Sequence, residues 1–141
     1  MTLRIQSIEG LLPGEGIAAL PGQKLVVSIG ETVRVRAALD YRGPFLSNTF
    51  YGAIGIRGIA WFDEVWFGSA PVSFDESVDW LTYELTVDIP VITPVRPGTD
   101  YDIYVKLLGH PEAGMPEVDN VIDVIGGVEF RNFQITGYEK V

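Results

Sequence analysis

The stretch Val95-Arg96-Pro97-Gly98-Thr99-Asp100-Tyr101-Asp102-Ile103-Tyr104-Val105 constrains the fold of this chain more than any other. A Pro-Gly turn runs into a tyrosine that opens a strand of alternating polarity, with Tyr101, Ile103, Val105 and Leu107 on one face. That is the pattern of a tyrosine corner, in which the Tyr101 hydroxyl ties a crossing loop back to the backbone of a Greek-key β-sandwich. The same period of two recurs over Thr32–Tyr41, where Val33, Val35, Ala37 and Leu39 oppose Arg34, Arg36 and Asp40. It recurs again over residues 79–89, where Leu81, Tyr83, Leu85, Val87 and Ile89 oppose Thr82, Glu84, Thr86 and Asp88. Alternation of this kind places one face of a strand in a core and the other in water.

Shorter strands are expected at residues 3–9, Lys24–Ile29, Phe50–Ile59, Trp61–Phe67, Val72–Phe74, Val121–Ile125 and Val128–Tyr138, separated by Gly/Pro turns. Residues 10–22, with Pro13-Gly14 and Pro21-Gly22, read as a loop. Gly52, Gly55 and Gly58 inside one strand signal bulges or close backbone approach. In the last strand Val128 and Phe130 share a phase that Phe133 and Ile135 reverse, which predicts a bulge near Arg131-Asn132. No stretch fits a helical period better than alternation. The 141 residues suit one domain, 1–141, and the class predicted is a single all-β, antiparallel sandwich with Greek-key connections.

Two segments carry a resemblance. Val95-x-Pro97-x-Thr99-x-Tyr101-x-Ile103-x-Val105 is similar to the second-last strand region of fibronectin type III domains. Gly30-Glu31-Thr32-Val33-Arg34-Val35 resembles the second strand of many immunoglobulin-like surface modules. The resemblance implies an immunoglobulin-like sandwich with binding or spacing roles and no fixed catalytic residues.

Charge narrows the partners. A net charge of −9 argues against nucleic acid, because phosphate binding needs clustered Lys and Arg. The charge is uneven: residues 1–60 carry six basic and four acidic side chains, residues 61–141 four basic and fifteen acidic. Such a split reads either as ordinary solvation of exposed faces or as complementary patches that meet when copies associate. No apolar run approaches the ~18 residues of a membrane span. The start, Met-Thr-Leu-Arg-Ile-Gln-Ser-Ile-Glu, reads as a first strand and not as a signal peptide, so the expectation is cytoplasmic synthesis, with incorporation into a virion or another particle. The absence of cysteine removes disulfides, thiol nucleophiles and cysteine zinc sites.

Candidates for chemistry are few. The single histidine, His110, sits between Gly109 and Pro111 and reads as an exposed loop residue. It has no Gly-x-Ser-x-Gly elbow to serve and too few companions for zinc. Asp63-Glu64, Asp75-Glu76 and Asp100 with Asp102 are paired carboxylates. Neighbours on a strand point to opposite faces, so no acid–base pair can be named. Glu117, Asp119, Asn120 and Asp123 cluster in one segment near Asp100 and Asp102, making Asp119, Asn120 and Asp123 weak calcium candidates. They lack the spacing of an EF-hand loop, and the expectation is no cofactor.

The aromatic residues offer the best functional hint. Trp61, Phe62, Trp66, Phe67, Phe74 and Trp80 fall within twenty residues. In Trp61–Phe67 one face carries Trp61, Val65 and Phe67 and the other Phe62 and Trp66, so both faces are apolar and need covering. The cover is the chain's own loops, another protein copy or a sugar ring. The expected function is therefore a non-enzymatic structural or interaction module that assembles with itself or with another protein, of the kind found in virions or surface assemblies. Its interface residues would be Trp61, Phe62, Trp66, Phe67 and Trp80. The alternative is a carbohydrate-binding module that uses its exposed tryptophans.

Overall fold

The structure is a computed structural model that describes residues 3–12, 15–19, 24–92 and 98–141. Nine strands are described: β1 (Arg4–Leu12), β2 (Glu15–Ala19), β3 (Leu25–Ser28), β4 (Thr32–Gly43), β5 (Leu46–Arg57), β6 (Phe62–Phe74), β7 (Ser77–Pro90), β8 (Gly98–Leu107) and β9 (Glu117–Ile125). A single 3-10 turn, Pro111–Ala113, is the only helical element among the described residues. The strands form two sheets, ordered β2-β1-β4-β7 and β3-β9-β8-β5-β6. Neighbours run antiparallel throughout, except that β3 lies parallel to β9.

The alternating segments behave as their pattern demands. Val33, Val35, Ala37 and Leu39 of β4 and Leu85, Val87 and Ile89 of β7 are buried in one core with Phe50, Ile54, Ile103, Val105 and Ile122 of the facing sheet. The sheets approach closely at Gly68 of β6, where an added Cβ would lie 2.0 Å from the Asp88 carbonyl oxygen of β7. Tyr101 is buried and meets Trp66 edge-on, with ring centroids 5.3 Å apart. The crossing to which the tyrosine corner would tie it, Val95–Pro97, lies outside the described residues.

Four expectations need correction. The loop read at 10–22 contains β2, which pairs with β1 from Ile8↔Ala19 to Leu12↔Glu15, so hairpin pairing overrides the local Gly/Pro content. Trp61–Phe67 and Val72–Phe74 belong to one strand, β6, which carries Pro71 inside it. An edge strand tolerates that proline because its missing N–H can face away from the ladder. The strand read at Val121–Ile125 begins four residues earlier, at Glu117. Residues 128–138, expected to close the domain, form no strand: from Gly127 to Val141 every residue is exposed and unpaired. The reason is topological. β9 already has β3 on one side and β8 on the other, so no position beside it is free for the segment that follows.

Candidate functional site

A bulge divides the aromatic strand. The β5–β6 register runs Ile54↔Trp66 and then Gly55↔Glu64, so Val65 is the extra residue. An extra residue inverts the side-chain phase of a strand. Trp66 therefore points into the core, 3% exposed, with Nε1 donating to the Ile92 carbonyl at 2.8 Å. Phe62, four residues earlier, lies on the outer face, edge-on to Tyr104 at 4.8 Å and beneath the Arg57 guanidinium. Trp66 is thus a core residue and not an interface residue. Gly55 permits this geometry, since a Cβ there would lie 2.0 Å from the Asp63 carbonyl oxygen.

On that outer face two tyrosines converge on one carboxylate. The Tyr51 hydroxyl donates to Glu64 Oε2 at 2.5 Å, and the Tyr104 hydroxyl donates to Glu64 Oε1. Burial, followed by the hydrogen bond to Glu64, pushes both phenols well above their ordinary value. The phenols are held as donors, so this triad is a structural clamp across β5, β6 and β8. Phe67 stacks on Tyr51 at 5.9 Å and is itself 62% exposed. The sequence did not single out Tyr51 or Tyr104, because their convergence depends on the bulge in a neighbouring strand.

The acidic segment separates into two pairs of caps. Asp100 and Asn120 have left-handed backbones, at φ 62° and 54°, and the β8–β9 register shifts between Gly98 and Tyr101 and again between Tyr101 and Ile103. Asp123 accepts the N–H of Asp100 at 3.0 Å, and Asp102 accepts the N–H of Asn120 at 2.8 Å. Asp102 also accepts the Arg57 N–H at 2.7 Å, at the end of β5. Each carboxylate thus satisfies a donor that the irregular ladder leaves free.

Asp119 and Asp123 accordingly have different side-chain partners. Asp123 faces Lys24, which also pairs with Asp100. Asp119 joins Asp102 and Glu117, with one carboxylate oxygen from each lying within 4.8 Å of the others. Glu117 forms an ion pair with Arg57 at 2.6 Å, which holds its carboxyl below the usual range. Asp119 hydrogen-bonds to Glu117 and is pushed up to about 6, first by that contact and then by desolvation. Two of the three carboxylates are engaged by donors of the chain itself, and Asn120 takes part through its backbone.

The same pairing accounts for part of the uneven charge. Arg34 pairs with Asp88, Arg36 with Glu9, Arg57 with Glu117 and Lys24 with Asp100 and Asp123, so basic residues of the first half are matched within the fold.

The best-formed concave site lies at one end of the sandwich. It encloses about 390 Å3, with Leu39, Tyr41, Leu46, Phe74 and Leu107 toward the core and Arg42, Trp80, His110 and Glu112 at its mouth. His110 is half-buried here, with Nδ1 2.6 Å from Glu112, whose carboxyl it lowers. Trp80 stands under the Arg42 guanidinium, 4.5 Å from the ring centroid, and remains 54% exposed. Around it Val78 is 88% and Leu81 40% exposed, because the leading half of β7 runs beyond the core and pairs only with β4. Trp61 is also exposed, but in the turn between β5 and β6. Of the five candidate aromatics, Phe62 and Phe67 thus share the outer face through Tyr104 and Tyr51, Trp66 lies in the core, Trp61 in a turn and Trp80 on β7.

The fold is thus an all-β, two-sheet domain, and no helix among the described residues is long and apolar enough to cross a membrane. No protein-family profile and no curated protein matches the chain.

Proposed function

We propose that this domain is an immunoglobulin-like sandwich acting as a non-enzymatic structural module that assembles with copies of itself, as a component of a virion or surface assembly. The observation that carries the reading is the exposed apolar end of the molecule, where Val78, Trp80 and Leu81 of β7 stand in water and Trp80 lines an apolar-floored cavity. Apolar groups concentrated at an unpaired strand edge favour association over solvation. The immunoglobulin-like assignment is supported by a β1-β4-β7 sheet facing a β9-β8-β5-β6 sheet, by the parallel pairing of β3 with β9, and by buried Tyr101 at the start of β8. Light scattering coupled to size exclusion, across concentration and salt, tests the assembly. A defined oligomer or filament is expected, and a strict monomer at all concentrations overturns the reading.

A second reading, a carbohydrate-binding module, is favoured by one observation. The Trp80 ring stands at a cavity mouth that also presents Asp40, Arg42, His110 and Glu112 as hydrogen-bonding groups. It predicts that soluble glycans change tryptophan fluorescence and that Trp80→Ala abolishes the change.

A further inference from the structure

The segment after β9 has the chemistry of a strand without a sheet. Val128, Phe130, Phe133, Ile135 and Tyr138 are 86–103% exposed. Simple alternation would put Phe130 and Phe133 on opposite faces. Asn132, however, has a left-handed backbone at φ 57°, the conformation that inserts one extra residue into a strand. Paired as a strand with that extra residue, the segment would bring Val128, Phe130, Phe133 and Ile135 to one side and leave Glu129, Arg131 and Gln134 on the other. No proline interrupts residues 128–141, so the backbone can pair along either edge.

The segment begins at the opposite end of the molecule from the exposed half of β7. The Ile125 carbonyl accepts the N–H of Ile29, and the next residue, Gly30, donates to the Val91 carbonyl just beyond the end of β7. From Val91 back to Glu84 is about 23 Å along the strand, and back to Ser77 about 46 Å. Val128 is three residue steps beyond Ile125, which span at most about 11 Å. A chain therefore cannot lay its own Val128–Ile135 along its own Ser77–Glu84, whereas a second copy can.

We propose that residues 128–136 of one copy add as a strand to the free edge of the leading half of β7 in the next copy, with their apolar face beside Val78 and Trp80 and their polar face on the side of Leu81. Donor and acceptor lie at opposite ends, so the contact is heterologous and propagates head to tail into a ring or filament. The proposal rests on the assembly reading above and names its partner segment.

The chain has no cysteine, so single-cysteine variants report the contact directly. Glu129→Cys, Arg131→Cys and Gln134→Cys proteins are each mixed with Leu81→Cys protein under mild oxidation. Phe130→Asp/Phe133→Asp protein is compared with the parent by light scattering, its fold checked by circular dichroism. A mixed disulfide found only in the combined samples, a parent that forms a ladder of oligomers or a ring, and a shift of the folded Phe variant to monomer are expected. A parent that still assembles, with no mixed disulfide and with a Phe variant that assembles equally well, overturns the strand addition and leaves the assembly reading standing. A parent that is monomeric at all concentrations overturns both.

Discussion

The junction of β5, β8 and β9 and the leading half of β7 lie in one molecule under opposite rules. At the junction, buried Asp102 accepts two backbone N–H groups, Asp123 accepts a third and Arg57 is matched by Glu117. Among the described residues no buried side-chain polar atom lacks a partner. Along β7 the backbone is paired on one side only, and Val78, Trp80 and Leu81 face water. The domain completes its polar pairing within one chain and leaves part of its apolar surface uncovered. Stability and association are therefore handled by different parts of the fold, and substitutions at the two places should be separable.

One pair of identical substitutions breaks the comparison most sharply. Phe50 is fully buried, so Phe50→Ala is expected to lose about 3–5 kcal/mol of unfolding free energy in denaturant titration. Asp102→Ala comes next. It leaves the N–H groups of Arg57 and Asn120 without acceptors, and a loss of about 3 kcal/mol is expected by the same measurement.

Asp119 sharpens the electrostatic side. Its folded-state value of about 6 lies above the ordinary 3.8, so between these values the folded state holds a proton that the unfolded chain releases. That contribution stabilises below about pH 4 and is lost as pH rises through about 6. Asp119→Asn should gain stability relative to the parent across this window, measured as the difference between their unfolding free energies at pH 4 and pH 7. Glu117 is held low first by Arg57 and also by its hydrogen bond to Asp119, so the difference reads the two carboxylates as a unit.

The smallest effect is expected at Phe133. Phe133→Ala removes a fully exposed ring and should change the stability of the isolated domain by no more than about 0.5 kcal/mol. A loss comparable to that at Phe50 would show that residues 128–141 are part of the domain core after all.

Much of the fold was legible, and the reason is local. Alternation in β4 and β7 marked Val35, Leu39, Val87 and Ile89 as core, and placed Trp80 on the wet side of its strand, where it is exposed. The phase reversal at Arg131-Asn132 falls at the left-handed Asn132, but the closing strand it was expected to bulge does not form. The candidate site was less legible. Trp66 appeared equivalent to Phe62, but the Val65 bulge sends one inward and the other outward. Gly55 was the only trace of that bulge in the sequence. The carboxylates near Asp119 resembled a loose calcium cluster, because their backbone partners at Asp100, Asn120 and Arg57 come from three strands distant in sequence.

The sequence by itself determined the all-β class, the buried faces of the regular strands and the absence of thiol chemistry, since a period of two and a residue count need no partner to be read. The tertiary structure alone decided that Trp66 is core while Phe62 is not, which acidic groups are backbone caps, and that the segment after β9 has no place beside that strand. Those outcomes depend on ladder register and strand order. A single-residue bulge or an occupied neighbouring position reverses the result while leaving the local sequence unchanged.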